Sequence, residues 1–400
     1  MKLGIIREGK VPPDKRVPFT PQQVEEIAQR FPQLQIACER SEVRCFKDEE
    51  YQSLGVEVTD DMSNCDILMG IKEVPAAQLI PGKSYLFFSH TIKKQPYNKK
   101  LLQEVLKKKI RLIDYEVLRD RQGNRLVAFG RYAGIVGAYN GLLTYGKRYN
   151  LFSLRRAFDC FDVNDLKIEL RKVKLPPIKI ILTGAGRVGK GAMETLDTAG
   201  IRKVNAEDFL IRTYNEPVYV QLSSAEYHVR KEGGHFNREE FHKHPENYKS
   251  TFTEFTKVAE VLLAGAFWNP KAPKLFLRED MLSPDFKIKV IADITCDIDG
   301  SVPSTRRAST IVDPIYDYDP KTDTIHPPLS SDSFVTTMAV DNLPCELPRS
   351  ASQEFGRDLI DRILKPLLVD DDEEIIARAT IAQDGKLTPQ FEYLADYVAG

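Results

Sequence analysis

The sequence lacks the features that mark membrane proteins, disulfide-stapled secreted domains and nucleic-acid-binding proteins. No uninterrupted apolar run approaches the roughly 18 residues that a membrane-spanning helix needs. Only six cysteines occur, and none shows C-x-x-C spacing, so neither a disulfide framework nor a zinc site is predicted. The 57 basic and 58 acidic residues leave a net charge of -1, which provides no basic face for nucleic acid or an anionic membrane. We therefore expect a cytoplasmic protein without a secretory leader, whose partners are small molecules and include neither nucleic acid nor membrane.

What the sequence does contain is the composition of a globular protein with more than one domain. Hydrophobic residues make up 42% of the chain and charged residues 29%, and 400 residues exceed what one ordinary core holds. Apolar runs of strand length alternate with helical patterns along the whole chain. This alternation predicts an α/β fold with mostly parallel sheets.

Polar side chains follow several predicted strands in the first third of the chain. The apolar runs there are Leu3–Ile6, Leu34–Ala37, Val56–Val58, Ile67–Ile71, Tyr85–Phe88 and Leu112–Ile113. Lys72, His90 and Glu116 come after three of these runs, and Arg16 lies on the loop after the first run. Because ligands of open parallel sheets bind at the carboxyl ends of strands, we expect these side chains to converge there. The alternative is that they merely cap a solvated sheet edge.

A glycine-rich loop lies just before the middle of the chain. The predicted strand Ile178–Leu182 runs into Gly184-Ala185-Gly186-Arg187-Val188-Gly189, and a helical pattern follows. This is G-x-G-x-x-G in its required strand–loop–helix context, which predicts dinucleotide binding. The glycines allow a tight turn, close approach to the pyrophosphate and close helix–strand packing.

The cofactor's ribose contact is less evident in the sequence. A carboxylate after the second strand would hold the 2′-hydroxyl of NAD. The segment 204–212 has Glu207 and Asp208 early and Arg212 late, with no acidic residue at the expected place. Because a basic residue suits a 2′-phosphate, NAD(P) is predicted with a weak preference for NADP.

Four histidines lie close together in the middle of the chain and raise the question of a metal site. They are His228, His235, His242 and His244, among many charged residues. A metal site needs converging ligands from an ordered framework. We interpret the segment as a solvated insertion and predict no metal.

Five motifs occur in an order that resembles one enzyme family. They are Ile71-Lys72-Glu73, Phe88-Ser89-His90-Thr91-Ile92-Lys93, Leu112-Ile113-Asp114-Tyr115-Glu116, Val127–Gly130 with Tyr132-Ala133-Gly134, and Val340-Asp341-Asn342-Leu343-Pro344. This series resembles lysine-forming saccharopine dehydrogenase. It is more similar still to the lysine–2-oxoglutarate reductase half of the bifunctional aminoadipic semialdehyde synthases. The wider superfamily includes alanine dehydrogenase and the transhydrogenase nucleotide domains.

The resemblance implies a role for each matching position. Lys72 corresponds to the proton acceptor, His90 to the proton donor, and Arg16 to the arginine that grips a substrate carboxylate. Further substrate contacts are expected at Gln95, Glu116 and Phe129. Cofactor contacts are expected at Gly184, Gly186, Arg187, Val188, Gly189, Phe267, Val340, Asp341, Asn342 and Leu343. The acidic ribose ligand of the NAD-linked enzymes falls near Leu210, which is not acidic.

The resemblance also implies a discontinuous architecture with two Rossmann-like lobes. Residues 1–135 plus 344–400 would form the substrate domain, and residues 136–343 the dinucleotide-binding domain. Cofactor and substrate would sit in the cleft between them. We expect the glutamate-forming second enzyme of the bifunctional proteins to be lacking, and the protein to be a monomer or small homo-oligomer.

The expected reaction is reductive condensation of L-lysine with 2-oxoglutarate to L-saccharopine, or its reverse. Two alternatives remain open. One is an alanine dehydrogenase that takes pyruvate and ammonia, and the other is a non-catalytic nucleotide-binding regulator. The physiological direction and a related amine donor such as ornithine also stay open.

Overall fold

A computed structural model describes residues 1–399 and divides them into two compact units. Unit 1 comprises residues 1–129 and 348–399, and unit 2 comprises residues 130–347. The strands within the described residues are β1 Lys2–Ile5, β2 Gln35–Glu39, β3 Glu57–Thr59, β4 Ile67–Met69, β5 Ser84–Phe87, β6 Arg111–Asp114, β7 Lys179–Thr183, β8 Arg202–Val204, β9 Val218–Leu222, β10 His228–Arg230, β11 Tyr248–Ser250, β12 Val261–Ala264, β13 Val290–Asp293, β14 Ile315–Asp319, β15 Thr324–His326, β16 Val335–Met338, β17 Thr380–Gln383 and β18 Lys386–Leu387.

Helices connect most of these strands. They are α1 Pro21–Arg30, α2 Asp48–Gln52, α3 Lys99–Lys107, α4 Gly130–Arg148, α5 Val163–Leu170, α6 Arg187–Thr198, α7 Ala206–Ile211, α8 Ser224–Tyr227, α9 Arg238–Lys243, α10 Thr253–Thr256, α11 Arg278–Met281, α12 Pro348–Arg362, α13 Leu364–Leu368, α14 Ile375–Ala379 and α15 Ala395–Ala399. Local sequence explains their starts. For α1, the Thr20 side chain accepts from the Gln23 amide while the Gln23 side chain accepts from the Thr20 amide, and Pro21 opens the helix.

Unit 1 is built on an eight-stranded sheet in the order β18-β17-β6-β5-β4-β1-β2-β3. The six strands from β3 to β6 are parallel, and β17 and β18 complete one edge as antiparallel strands. The chain leaves β1 for β2 on one side and later returns to β4 on the other side of β1. The carboxyl ends of β1 and β4 therefore form a topological switch point, where open α/β sheets bind ligands.

Unit 2 has its own eight-stranded sheet in the order β15-β14-β16-β13-β12-β7-β9-β8. The strands from β8 to β16 are parallel, and β14 and β15 add an antiparallel edge. Here β7 lies between β9 and β12, so the switch point is at the carboxyl end of β7. A core around Ile181, Val220, Leu262 and Ile291 packs within this unit.

Glycines let helices α4 and α6 approach each other closely within unit 2. A Cβ on Gly134 would lie 1.9 Å from the carbonyl oxygen of Val188, and one on Gly191 would lie 1.9 Å from that of Arg131. The glycine pattern in this part of the sequence therefore serves helix packing. The close contact fixes the start of α6, which follows the glycine-rich loop.

The predicted fold class of two Rossmann-like lobes with mostly parallel sheets is confirmed. The expected domain limits at 135/136 and 343/344 move to 129/130 and 347/348. They move because α4 begins at Gly130 as one continuous helix and the short 3₁₀ turn Leu343–Glu346 packs within unit 2. The cleft expected between the lobes stays a prediction.

Two strands of unit 2 end earlier than the apolar residues around them. β12 ends at Ala264, although apolar residues continue to Trp268. β16 ends at Met338, so Val340–Leu343 form a loop and the start of a 3₁₀ turn. Within residues 1–399, no helix is both long and apolar enough to span a membrane.

Candidate active site

The switch point of unit 1 carries the residues expected to act as base and acid. Lys72 and Glu73 lie on the loop that follows β4, and His90 lies on the loop that follows β5. His90 adopts a left-handed backbone conformation, with φ of 53°. Strained backbone of this kind persists where the surrounding structure fixes it, and is common at functional sites.

Glu73 pairs with the expected acid. Its Oε1 lies 2.7 Å from Nδ1 of His90, and its Oε2 lies 3.1 Å from Nζ of Lys10. Burial opposes ionisation of Glu73, but the hydrogen bond and charge of His90, assisted by Lys10, hold its pKa at about 2. Glu73 is therefore a carboxylate at neutral pH and a ready partner for a protonated imidazole.

Lys72 is half-buried in an environment that disfavours its charge. Burial lowers the pKa of its ammonium, and the positive charge of Arg16 lowers it further, while Asp14 acts in the opposite direction. A lysine with a lowered pKa is neutral more often at pH 7 and can accept a proton.

Glu8 holds the backbone at Lys72. Its two carboxylate oxygens accept from the amides of Ile71 and Lys72, at 2.6 and 2.9 Å. Burial, with the nearby charge of Asp14, raises the pKa of Glu8 to about 8 in spite of these hydrogen bonds. The loop after β1 is thereby attached to the loop after β4.

Arg16 is 3% exposed and lies against an aspartate and an aromatic ring. Its Nε and Nη2 donate to the two oxygens of Asp14 at 2.9 and 2.6 Å, a bidentate pair. The guanidinium carbon lies 4.1 Å from the centroid of Phe129. The structure thus places Arg16 and Phe129 together, with Asp14 holding the guanidinium in one orientation.

Glu116 and Gln95 lie on the loops after β6 and β5. Oε1 of Glu116 is 3.1 Å from Nζ of Lys93. Its amide donates to buried Asp114, which also accepts from Oγ of Ser89 at 2.5 Å. Gln95 is half-buried, and its carbonyl accepts from the hydroxyl of Tyr397 at 2.5 Å. Each predicted substrate residue therefore lies on unit 1, on the loops that follow its parallel strands or, for Phe129, at its boundary.

The glycine-rich loop of unit 2 has the geometry that a pyrophosphate needs. Gly184 has φ of 101°, a conformation that favours glycine, and a Cβ on Gly189 would lie 2.1 Å from the carbonyl oxygen of Gly184. A Cβ on Gly186 would meet no atom within 4 Å. Gly186 therefore faces open space at the N-terminus of the twelve-residue helix α6, where backbone N–H groups favour an anion. These residues fit a bound dinucleotide.

The remaining predicted cofactor residues follow neighbouring strands of the same sheet. Arg187 and Val188 begin α6 after β7, and Phe267, 89% exposed, follows β12. Val340–Leu343 follow β16, and Val340 bridges to Ser309. Within this segment Asp341 is exposed, whereas Val340 and Leu343 are buried.

The structure corrects where the adenosine ribose contact was sought. The strand next to β7 is β9 and not the segment 204–212, which forms the end of β8 and helix α7. Leu210 packs against the core of unit 2, and exposed Arg212 pairs with Asp208 on its own helix at 2.7 Å. At the end of β9 stands Ser223, whose amide donates to Glu226 at 2.7 Å. The predicted preference for NADP depended on Arg212, which does not lie at the end of β9.

The histidine-rich insertion is exposed at three of its four histidines. His235, His242 and His244 are exposed, but His228 is buried against Tyr227 and Phe241. Burial lowers the pKa of His228 to about 4. The expectation of a solvated segment is wrong for His228, because the aromatic rings of the insertion form a small core around it. Among residues 1–399, no three His, Cys, Asp or Glu side chains are grouped to hold a metal ion.

Sequence reasoning missed three acidic residues of the unit 1 site. Glu73 was part of a matched motif but received no role, and Glu8 and Asp14 were not considered. The available signal was spacing, because Asp14 is two residues before Arg16 and Glu73 directly follows Lys72. Buried Arg16 needs a counter-charge, and Asp14 provides it.

Comparisons with known proteins agree with this architecture. Residues 4–136 match the family described as alanine dehydrogenase/PNT, N-terminal domain. Among solved structures, an L-alanine dehydrogenase aligns over 100% of both chains with a TM-score of 0.64 and 15% identity. A transhydrogenase from Sinorhizobium meliloti aligns over 97% of this chain and 100% of its own, with a TM-score of 0.62 and 13% identity. At these identities the structural similarity establishes the fold.

Curated relatives extend the similarity to the whole chain. The mitochondrial alpha-aminoadipic semialdehyde synthase of Mus musculus is 30% identical over 98% of this chain and 47% of its own length. The saccharopine dehydrogenase [NAD(+), L-lysine-forming] of Schizosaccharomyces pombe is 25% identical over 90% of this chain and 91% of its own. The chain spans about half the length of the synthases that it matches. The resemblance found in the sequence motifs is confirmed.

Proposed function

We propose that the chain is a nicotinamide-dependent oxidoreductase of lysine metabolism, a proposal supported by the match of residues 4–136 to the alanine dehydrogenase/PNT N-terminal domain family. Its reaction is the condensation of L-lysine with 2-oxoglutarate and reduction of the product to L-saccharopine, or the reverse. The observation that carries this proposal is Lys72, with its lowered pKa, next to the Glu73–His90 pair at the switch point of unit 1. The names of the curated relatives support the choice of substrates.

The condensation requires a neutral amine. A lysine ε-amine with an ordinary pKa near 10.4 is neutral in only about one molecule in 2,500 at pH 7, a penalty of roughly 4.6 kcal/mol. Lys72 accepts this proton, because burial and Arg16 reduce the cost of holding Lys72 neutral beforehand. The freed amine then attacks the ketone of 2-oxoglutarate.

Loss of water from the resulting adduct requires an acid. His90 donates a proton to the departing hydroxyl, and Glu73 stabilises the protonated imidazole from 2.7 Å. Amine and ketone thus give an imine and one water molecule. The loop over Gly184, Gly186 and Gly189 would hold the dinucleotide, which would supply a hydride for reduction of the imine.

Substrate carboxylates call for fixed cations. Arg16, which contacts Asp14 and Phe129, binds a carboxylate of the keto acid in this proposal. The names of the curated relatives favour saccharopine over alanine as the product.

The test is a cofactor oxidation assay with the purified chain. NADH or NADPH is mixed with 2-oxoglutarate, and lysine, ornithine, alanine or ammonia is added in parallel, with pyruvate replacing 2-oxoglutarate in a further set. We expect absorbance loss that requires lysine and yields saccharopine, and the faster dinucleotide identifies the cofactor. Turnover with pyruvate and ammonia alone would identify an alanine dehydrogenase. No turnover in any mixture, with dinucleotide still bound, would identify a regulator.

A further inference from the structure

A buried glutamate lies at the end of the segment that follows β16 in unit 2. Glu346 is the last residue of the 3₁₀ turn Leu343–Glu346, which continues directly from Asp341 and Asn342. Its side chain is fully buried, and Asn140 of helix α4, its neighbour, is 3% exposed. A buried carboxyl costs free energy unless it is neutral or fully hydrogen-bonded.

The hydrogen bonds between these two side chains are incomplete. Nδ2 of Asn140 donates to Oε1 of Glu346 at 2.9 Å. The other oxygen of each group, Oδ1 of Asn140 and Oε2 of Glu346, is buried and accepts no hydrogen bond from residues 1–399. Both oxygens can only accept hydrogen bonds when the glutamate is ionised, so no hydrogen atom is available to form a bond between them. Buried oxygens left in this way are rare in folded proteins.

We infer that Glu346 is held as a carboxylic acid that donates from Oε2 to Oδ1 of Asn140, which closes a two-bond ring between acid and amide. One proton satisfies both oxygens, and the bond from Nδ2 to Oε1 forms the other half of the ring. The ring joins the 3₁₀ turn to α4. Carboxylic acids and amides are planar groups of matching shape, so both bonds form in one plane.

The charges around Glu346 are consistent with a neutral acid. Burial raises its pKa to about 7, and this rise exceeds the opposing effects of Asn140 and Arg156. Within residues 1–399, Arg156 is the charged group that acts on this carboxyl, with Nη2 3.8 Å from Oε2. That nitrogen donates at 2.6 Å to the carbonyl of Ile311 and not to the glutamate.

The ring makes Glu346 a positioning residue for the cofactor, an inference that rests on the proposed function. Val340–Leu343 are expected to hold the nicotinamide, and the turn that follows them is anchored by Glu346. Loss of the proton would leave a buried charge facing an unsatisfied amide oxygen. The turn would then loosen, and dinucleotide affinity would fall as the pH rises above about 7.

The first test compares the thermal unfolding of wild type and Glu346→Gln from about pH 5 to about pH 8 without any ligand. Glutamine keeps both bonds of the ring, because its amide nitrogen replaces the acid proton as donor. We expect nearly equal Tm values at about pH 5 and a Tm several degrees higher for E346Q at about pH 8. The difference should develop mostly between about pH 4.5 and about pH 7, the interval between the ordinary and the raised pKa of this glutamate, because the wild type there loses stability that the variant keeps. Parallel curves would overturn the inference.

Asn140→Asp is the matched variant on the other side of the ring. At acid pH two protonated carboxyls can form the same ring, so its Tm should stay near that of the wild type. At about pH 8 two carboxyls compete for one proton, and we expect a larger loss of Tm than in the wild type. A Tm loss of equal size at both pH values would argue against the ring.

The second readout is dinucleotide binding, followed by fluorescence of NADH and of Trp268, the single tryptophan. Between about pH 7 and about pH 8.5 the Kd of the wild type should rise several-fold, and that of E346Q should stay level. Equal pH dependence in both proteins would overturn the positioning role. If the protein binds no dinucleotide at all, the proposed function fails, while the ligand-free unfolding curves still decide whether the ring exists.

Discussion

Lys72 is the residue on which the proposed chemistry depends most. We expect Lys72→Met to lower kcat by roughly 10²- to 10⁴-fold, because the amine substrate must then lose its proton without an enzymatic base. The Kd for NADH should not change, since the glycine-rich loop lies in unit 2. Steady-state kinetics with lysine and 2-oxoglutarate, together with a fluorescence titration, measure both quantities.

A matched control for this substitution is Lys107→Met on the surface of α3. It removes the same charge and adds the same side chain away from the loops that follow the strands. If both variants turn over at the wild-type rate, Lys72 acts at most as a carboxylate clamp or not at all.

Glu73 is the hydrogen-bond partner of the proposed acid, His90. With a pKa of about 2, Glu73 is charged throughout the neutral range and can accept a charged hydrogen bond from a protonated imidazole. Such bonds contribute about 1.5–3 kcal/mol, so Glu73→Gln should lower kcat in the condensing direction about 10- to 150-fold. Steady-state kinetics of the variant, with exposed Glu25→Gln as a control, measure this loss. An unchanged kcat would show that the pair is structural.

Arg16 requires a careful choice of substitution. Arg16→Ala would leave buried Asp14 without its bidentate partner, which lowers the free energy of unfolding by about 3–5 kcal/mol. A loss of activity could then result from unfolding instead of weaker substrate binding. Arg16→Lys keeps the positive charge but replaces the planar guanidinium with a single ammonium group, so the bidentate pairing is lost. We expect the KM for 2-oxoglutarate to rise about tenfold with little change in kcat, since a ground-state carboxylate contact is weakened. A normal KM would remove Arg16 from the substrate site.

Sequence reasoning found the reactive cations more readily than the carboxylates that hold them. Lys72, His90 and Arg16 come after predicted strands or in a recognisable motif, so spacing alone drew attention to them. Glu8 contacts residues 71 and 72, more than sixty positions away along the chain. Such a contact follows from β1 and β4 being neighbours, which no local pattern reveals.

Parallel strands were predicted well because buried strands are short continuous apolar runs. Most of their ends shifted by one or two residues, since polar residues such as Arg111 and Asp114 also take part in pairing. The order of the strands within each sheet was predicted less well. The ribose contact was sought after β8, but β9 pairs with β7, and the edge strands β17 and β18 carry no strong apolar pattern.

Substitutions at two glycines at the start of α6 should affect stability and dinucleotide binding differently. Gly186→Ala places a methyl group in open space, so its Tm should match the wild type. That methyl occupies the approach of the pyrophosphate, and the Kd for NADH should rise at least tenfold. Gly189→Ala instead forces a Cβ to 2.1 Å from the Gly184 carbonyl, so a clear loss of Tm is expected. Calorimetry and fluorescence titration of both variants test this, and normal NADH affinity in Gly186→Ala would place the dinucleotide elsewhere.

The whole molecule combines two sheets of the same size with different edges and separate cores. Unit 1 packs around residues such as Ile5, Met69 and Phe355, and unit 2 around Ile181 and Leu262. The polypeptide crosses between the units at 129/130 and again at 347/348. The strand order of each sheet gives each unit its own switch point, and we expect the dinucleotide to bind to unit 2 and the keto acid to unit 1.

The single tryptophan makes this division measurable. Trp268 belongs to unit 2 and follows β12, so its fluorescence reports the unfolding of unit 2 alone. NADH at about 100 times its Kd should stabilise that unit by roughly 2.7 kcal/mol and raise the Trp268 transition by about 5–10 °C. Gly186→Ala should abolish most of this increase at the same NADH concentration, while 2-oxoglutarate alone should leave the Trp268 transition where it is. If 2-oxoglutarate raises the Trp268 transition and NADH does not, the assignment of cofactor to unit 2 and keto acid to unit 1 is reversed.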